Sequence, residues 1–178
     1  MKQLIFDCDG VLVDTEIVAA EIMVDLLRAH GVLMDIPSYI EQFTGKTFTE
    51  IMDSLQISFR EDRETIAKRT ERSIYAQLKA VPGMRDLLIK QTLPVAIVSN
   101  SATWQVKKAI EFLHLEKRIG SNFFSADRVS RPKPFPDVYL KAAESNAVEP
   151  SLCLVIEDSI SGATAALRAG MQVIGFCG

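Results

Sequence analysis

The sequence predicts a doubly wound, mainly parallel α/β sheet, interrupted after its first strand by an inserted α-helical unit. Short apolar runs without alternation recur at residues 4–6, 95–98, 123–124, 152–156 and 173–176, the pattern of strands buried on both faces by crossover helices. Residues 15–80, between the first and second of these runs, read as helical throughout. A length of 178 residues suits one core plus a small accessory unit rather than two full domains. The expected division is a core of residues 1–13 and 81–178 around an insertion of residues 14–80.

Each element has its own local reason. Leu4-Ile5-Phe6 is a short buried strand that runs directly into acid. In the insertion, Glu21, Asp25 and Arg28 line one narrow face of a helix that is otherwise mostly apolar and therefore covered on more than one side; Gly31 ends it. Pro37 opens a second helix with Ile36, Tyr39, Ile40 and Phe43 as its stripe, and Gly45 closes it. Thr47 and Glu50 make a Thr-x-x-Glu capping box ahead of the stripe Phe48, Ile51, Met52 and Leu55. A strongly charged fourth helix is expected over about 60–79, before Val81-Pro82-Gly83. After the second strand, Val106, Ala109, Ile110 and Leu113 mark another helix. Trp104 near its start is expected to pack in the core, with a substrate wall as the alternative reading.

Composition narrows the function classes. The chain is 48% hydrophobic and 24% charged, with a net charge of −3, which offers no basic footprint for nucleic acid. No window approaches the roughly 20 apolar residues that span a bilayer, and Met1-Lys2-Gln3 leads straight into structure without a signal peptide. A cytoplasmic monomer without nucleic-acid or membrane partners is expected. Cys8, Cys153 and Cys177 are three distant cysteines without a Cys-x-x-Cys pair, so neither a disulfide framework nor a zinc site is indicated. His30 and His114 have structural readings, at a helix end and in a Leu-rich stretch.

The chemistry should lie at the carboxyl ends of the strands, where open α/β sheets bind ligands. The first strand ends in Asp7-Cys8-Asp9-Gly10, and two carboxylates so placed persist when a cation or a protonation difference relieves their repulsion. Cys8 between them should face the opposite side and behave as a small apolar residue. The second strand ends in Ser99-Asn100-Ser101, which suits either an anion site or a helix cap. Lys133 lies among three prolines, Pro132, Pro134 and Pro136, on a backbone with little ordering entropy left to lose when it meets an anion. Glu157-Asp158 ends the apolar run 152–156, and adjacent acids there suit a hard cation such as Mg²⁺.

This order of motifs over essentially the whole chain resembles the haloacid dehalogenase superfamily of aspartate-nucleophile phosphohydrolases, in the subgroup with a helical cap after the first strand of a Rossmann-like core. The resemblance implies that Asp7 attacks phosphorus to give an aspartyl-phosphate and that Asp9 protonates the leaving oxygen and later activates water. It further implies that Ser99 and the Asn100 backbone hold the phosphoryl oxygens, and that Lys133 neutralises the phosphate and Asp7. Mg²⁺ would be held by Asp7, the Asp9 carbonyl and Asp158, with Glu157 acting through water. Phosphoryl transfer needs this positioning and charge cancellation on physical grounds as well.

Asp9 favours phosphate chemistry over dehalogenation, because the dehalogenase branch lacks this second aspartate. The Phe-Asp-Cys-Asp-Gly opening is similar to that of 6-phosphogluconate phosphatases, so a small sugar or sugar-acid phosphate is the expected substrate. The chief alternative is a mutase of the β-phosphoglucomutase kind; its cap carries a His where this chain has Ala19, which demotes it. A phosphoacceptor receiver domain would carry its acceptor Asp where Ser99 stands and would lack the insertion. A non-catalytic binder of phosphorylated ligands on the same fold remains a further alternative. In the cap loop Thr44-Gly45-Lys46-Thr47, Lys46 is either the contact for a second anionic group or a solvated turn lysine. Relatives continue past the Gly-Phe-Cys-Gly position with another strand and helix, so either an exposed sheet edge or a trimmed chain is expected.

Overall fold

The computed structural model describes residues 1–44 and 46–177. Gly45, expected to close the second helix, lies outside the described residues, as does Gly178. The chain divides into two compact units, Met1–Asp14 with Ala80–Gly178, and Thr15–Lys79. After β1 (Gln3–Asp7), the second unit holds α1 (Thr15–Ala29), α2 (Ile36–Phe43), α3 (Phe48–Ser54) and α4 (Arg63–Ala76). The first unit resumes with α5 (Met84–Lys90), β2 (Val95–Ser99), α6 (Thr103–Phe112), α7 (Glu116–Ile119) and β3 (Phe123–Ser125). It ends with α8 (Asp137–Ser145), β4 (Cys153–Glu157), α9 (Ile160–Arg168) and β5 (Gln172–Gly175).

The five strands form one sheet in the order β3-β2-β1-β4-β5, and every neighbouring pair is parallel. This is the α/β architecture that the unalternated apolar runs demand. The winding direction reverses between β1 and β4, the place where such a sheet opens its binding crevice. Register sets the strand ends level: Asp7 lies opposite Val98, Phe6 opposite Ile156 and Ser99 opposite Ser125. The polar residues that follow each apolar run therefore emerge along one edge.

Alternation divides each strand between two faces. Ile5, Ala96, Val98 and Val155 pack with Val138, Tyr139, Ala142 and Ala143 of α8 and Ala165 and Ala166 of α9, each larger side chain contributing roughly 1.5–3 kcal/mol by burial. Gln3 is a buried exception to this apolar layer. Its Nε2 donates to the Ala142 carbonyl at 3.0 Å, and the Cys153 thiol donates to its Oε1 at 3.7 Å, so its polar ends are satisfied. On the edge strand β5, Ile174 is half exposed.

The helical unit has its own core, in which Ala20, Met23, Val24 and Leu27 of α1 meet Tyr39, Phe43, Ile51, Met52 and Ile57. The polar face of α1 is occupied as its sequence indicates, with Arg28 paired to Asp25 at 2.6 Å and Glu21 to Lys79 at 2.5 Å. Gly31 follows α1 at φ +82°, a left-handed conformation that glycine adopts without a steric penalty. The capping box closes, Glu50 accepting from the Thr47 N–H at 2.7 Å while the Glu50 N–H donates to Thr47 Oγ1 at 3.3 Å.

Two expectations need correction, and two short helices add to them. The fourth helix is shorter than about 60–79: it runs Arg63–Ala76, and its start is set by the Asp62 side chain, which accepts from the Thr65 N–H at 2.9 Å. The helices α5 and α7 were not singled out in the sequence; at 7 and 4 residues they are too short to show a periodic stripe. Trp104 is 40% exposed rather than in the core, since α6 buries Val106, Ala109 and Ile110. Among the described residues, no helix is long and apolar enough to cross a membrane.

Candidate active site

The site is assembled from the carboxyl ends of β1, β2 and β4 and the loop before α8. Asp7, the last residue of β1, is buried. Burial pushes its carboxyl up to about 7 against the pull of Lys133, with Glu157 and Asp9 adding repulsion. Lys133 Nζ donates to Asp7 Oδ1 at 2.6 Å and to Glu157 Oε2 at 2.8 Å. Burial works to lower this ammonium, but the two carboxylates outweigh it and hold its pKa above the ordinary value.

The prolines around Lys133 set its backbone, and a second strand end holds it in place. The Lys133 N–H donates to Asn100 Oδ1 at 2.9 Å, and Asn100 Nδ2 donates to the Lys133 carbonyl at 3.2 Å. The side chain of Asn100 therefore arranges the lysine loop, a contact that the sequence motif left unassigned.

Asp9 continues from β1 after one intervening residue. Its Oδ2 accepts from Ser99 Oγ at 3.1 Å and from Ser101 Oγ at 2.7 Å. The Ser99 hydroxyl also accepts from the Ser101 N–H at 2.8 Å. Two hydroxyls from the end of β2 thus fix one oxygen of the second carboxylate. Cys8 is buried between the two aspartates, and burial first, then Asp9 and Asp7, pushes its thiol well above the ordinary range. It is a neutral thiol, unsuited to nucleophilic work.

At the end of β4 the two acids differ sharply. Glu157 is fully buried and Asp158 is exposed. Burial opposes ionisation of Glu157, yet Lys133, Tyr139 and Ser159 together hold its pKa below the usual carboxylate value. Its Oε2 accepts from Tyr139 Oη at 2.5 Å, and its Oε1 from Ser159 Oγ at 2.7 Å and the Ser159 N–H at 3.2 Å. For Asp158, burial and the neighbouring Glu157 raise the pKa.

Carboxylate oxygens of Asp7, Glu157 and Asp158 lie within 4.8 Å of one another. A Cβ on Gly10, at φ +78°, would stand 1.8 Å from Asp158 Oδ2. The bare glycine therefore makes room for that carboxylate beside the loop after β1. An all-oxygen, multiply acidic donor set of this kind fits a hard divalent cation such as Mg²⁺.

The structure thus brings together Asp7, Asp9, Ser99, Asn100, Lys133, Glu157 and Asp158. Lys46 belongs to the helical unit, where its Nζ stands 5.1 Å from the Phe43 ring centroid. Two members of the cluster, Tyr139 and Ser159, are not apparent from the sequence motifs; Ser101, already part of the second strand end, proves to be a partner of Asp9. The signal for Tyr139 was its place between Val138 and Ala142 on a buried stripe, since a buried tyrosine hydroxyl requires a partner.

A family model described as haloacid dehalogenase-like hydrolase matches residues 4–176. The chain belongs to this family. Among its relatives, 6-phosphogluconate phosphatase of Escherichia coli (strain K12) is 28% identical over 186 residues, covering 99% of this chain and 83% of that protein. The phosphorylated carbohydrates phosphatase of Thermotoga maritima is 29% identical, covering 98% of this chain and 84% of that protein. Of the solved haloacid dehalogenase structures, the family hydrolase from Deinococcus radiodurans R1, which holds phosphate and sodium, superposes with a TM-score of 0.85 at 27% identity. That match covers 98% of this chain and 80% of the other.

Proposed function

We propose that this chain is a Mg²⁺-dependent phosphomonoester hydrolase that acts on a small sugar or sugar-acid phosphate through an aspartyl-phosphate. The observation that carries the reading is the buried Lys133 ammonium, 2.6 Å from Asp7 and beside the Asp7, Glu157 and Asp158 carboxylates. Such a group can neutralise both an attacking carboxylate and the phosphoryl group it meets. The sugar assignment is supported by the names of the Escherichia coli and Thermotoga maritima relatives.

In this reading Asp7 attacks phosphorus while the bond from phosphorus to the ester oxygen breaks, and Asp9 gives its proton to the departing oxygen. Asp9 then takes a proton from water as the water oxygen attacks phosphorus, which releases phosphate and restores Asp7. The two hydroxyls on Asp9 Oδ2 would aim its other oxygen at this proton traffic. Asp7, Asp158 and the Asp9 carbonyl would hold Mg²⁺, with Glu157 reaching it through water. When bound, the ion supplies charge neutralisation at the phosphoryl oxygens. Ser99 and the Asn100 backbone would hold those oxygens. Residues 14–80 would act as the cap of a catalytic core made of 1–13 and 81–178, with Lys46 as its contact for a second anionic group.

The test is release of inorganic phosphate from a panel of sugar phosphates, sugar-acid phosphates and nucleotides, with Mg²⁺ and with chelator. Release from the first two classes is expected, lost with chelator and in Asp7→Asn and Asp9→Asn. Wild-type turnover in Asp7→Asn would remove the nucleophile assignment. Tight binding of a phosphomonoester without release would point to a non-catalytic binder.

A further inference from the structure

We propose that the buried Tyr139 hydroxyl is a positioning group that commits Glu157 to Lys133 and keeps it from binding the cation directly. The inference rests on the phosphohydrolase reading above and adds a residue that this reading does not use. Tyr139 is fully buried in α8. Its hydroxyl donates to Glu157 Oε2 at 2.5 Å, the oxygen that also accepts from Lys133 Nζ at 2.8 Å, and its ring centroid lies 5.3 Å from the ammonium. The other carboxylate oxygen accepts from the hydroxyl and the N–H of Ser159. Behind the carboxylate stands Gly162, where a Cβ would lie 2.0 Å from the Glu157 carboxyl carbon.

Four donors thus fill both oxygens of Glu157, although its carboxylate lies within reach of the same cation as Asp7 and Asp158. A carboxylate so engaged serves the ammonium and leaves direct ligation to its neighbours. Without the tyrosine hydroxyl, one lone pair on Oε2 is released next to two carboxylates that attract a metal. Glu157 then turns toward the ion, and Lys133 loses part of its anchor. The expected signature has opposite signs in two measurements, whereas simple disruption of the fold would weaken both.

Tyr139→Phe removes the hydroxyl and keeps the ring. Turnover with Mg²⁺ is expected to fall by roughly 10-fold with KM for the phosphate ester within about twofold of wild type. Mg²⁺ affinity, measured by calorimetric titration of the metal-free protein, is expected to tighten by roughly 3-fold, the scale of one released hydrogen bond. In a Glu157→Gln background the same change should have no further effect on kcat, because Tyr139 acts only through that carboxylate. Gly162→Ala, whose Cβ would stand 2.0 Å from the Glu157 carboxyl carbon, displaces that carboxylate and is expected to lower kcat with Tyr139 intact; it stands in if Tyr139→Phe does not fold. Parallel loss of kcat and Mg²⁺ affinity, no change in either, or additive effects in the double variant would each overturn the proposal. If the wild type releases no phosphate, the phosphohydrolase reading fails separately, and the Mg²⁺ titration, which needs no turnover, still decides the positioning role.

Discussion

Asn100 grips the backbone of Lys133 at two points, accepting from its N–H at 2.9 Å and donating to its carbonyl at 3.2 Å. The two residues lie 33 positions apart, on the loop after β2 and the proline-rich loop before α8. Lys133 therefore owes its position to a side chain from another strand end as well as to its own prolines. The cluster is held together by such cross-loop hydrogen bonds: Ser99 and Ser101 on Asp9, Tyr139 and Ser159 on Glu157.

Asn100→Ala should therefore act on both stability and turnover. Losing two hydrogen bonds is expected to cost about 1–3 kcal/mol, measured by urea unfolding. Because the loosened backbone carries Lys133, kcat is expected to fall by roughly 10-fold, measured by phosphate release. A variant that loses stability while keeping wild-type kcat would show that the prolines alone position the lysine.

Gly10→Ala tests whether the space beside β1 is reserved for Asp158. At φ +78° a side chain is strained, at roughly 1–2 kcal/mol, and its Cβ would lie 1.8 Å from Asp158 Oδ2. The expected result is lower stability together with weaker Mg²⁺ binding by calorimetry. Loss of stability with unchanged Mg²⁺ affinity would separate Asp158 from the cation.

The acids of the site were legible in the sequence because Asp7 and Glu157 directly follow apolar runs, with Asp9 and Asp158 within two residues of them, and parallel register sets such ends side by side. Asp7 and Glu157 need nothing more than this, since Phe6 lies opposite Ile156. Tyr139 was not legible in the same way: it reads as a member of the α8 stripe, and only the packing of α8 on the sheet brings its hydroxyl to Glu157. Trp104 misled for the complementary reason. It lies two residues before Val106, on the side of α6 away from the buried stripe. The start of α4 depended on which acid captured the first free N–H groups, and Asp62 did so, at the Thr65 N–H.

Asp127 offers a pH test away from the catalytic cluster. Its carboxylate accepts from Ser125 Oγ at 2.6 Å and from Thr103 N–H and Oγ1, tying the end of β3 to the start of α6. The Ser125 hydroxyl, then the Thr103 N–H, lower its pKa to about 2. The unfolded value is about 4, so the folded state binds fewer protons between these values. Its contribution is complete above about pH 4 and is lost as pH falls toward about 2. Asp127→Asn should be less stable than wild type at pH 7, by no more than about 1 kcal/mol for so exposed a group, and the gap should close by about pH 2. Urea unfolding at three pH values measures this; a gap independent of pH would contradict it.

Asp7 has the opposite sign. Burial, then the proximity of Glu157, pushes its carboxyl up to about 7 in the metal-free protein, from an unfolded value of about 4. The folded state therefore holds the proton more tightly, and stability falls as pH rises from about 4 to about 7. At pH 7 and above, two buried carboxylates compete for the single Lys133 ammonium. Asp7→Asn removes one of them and leaves the ammonium paired with Glu157 at 2.8 Å. The metal-free variant should thus be more stable than wild type at pH 8, on the order of 1 kcal/mol or more, while turnover is abolished. Adding Mg²⁺ should raise the melting temperature of wild type more than that of the variant, because ligand binding stabilises the folded state that holds the better site. Thermal unfolding at pH 5 and pH 8, with and without Mg²⁺, measures all of these differences. A variant less stable than wild type at pH 8 without metal would show that the Asp7–Lys133 pair stabilises the fold rather than straining it.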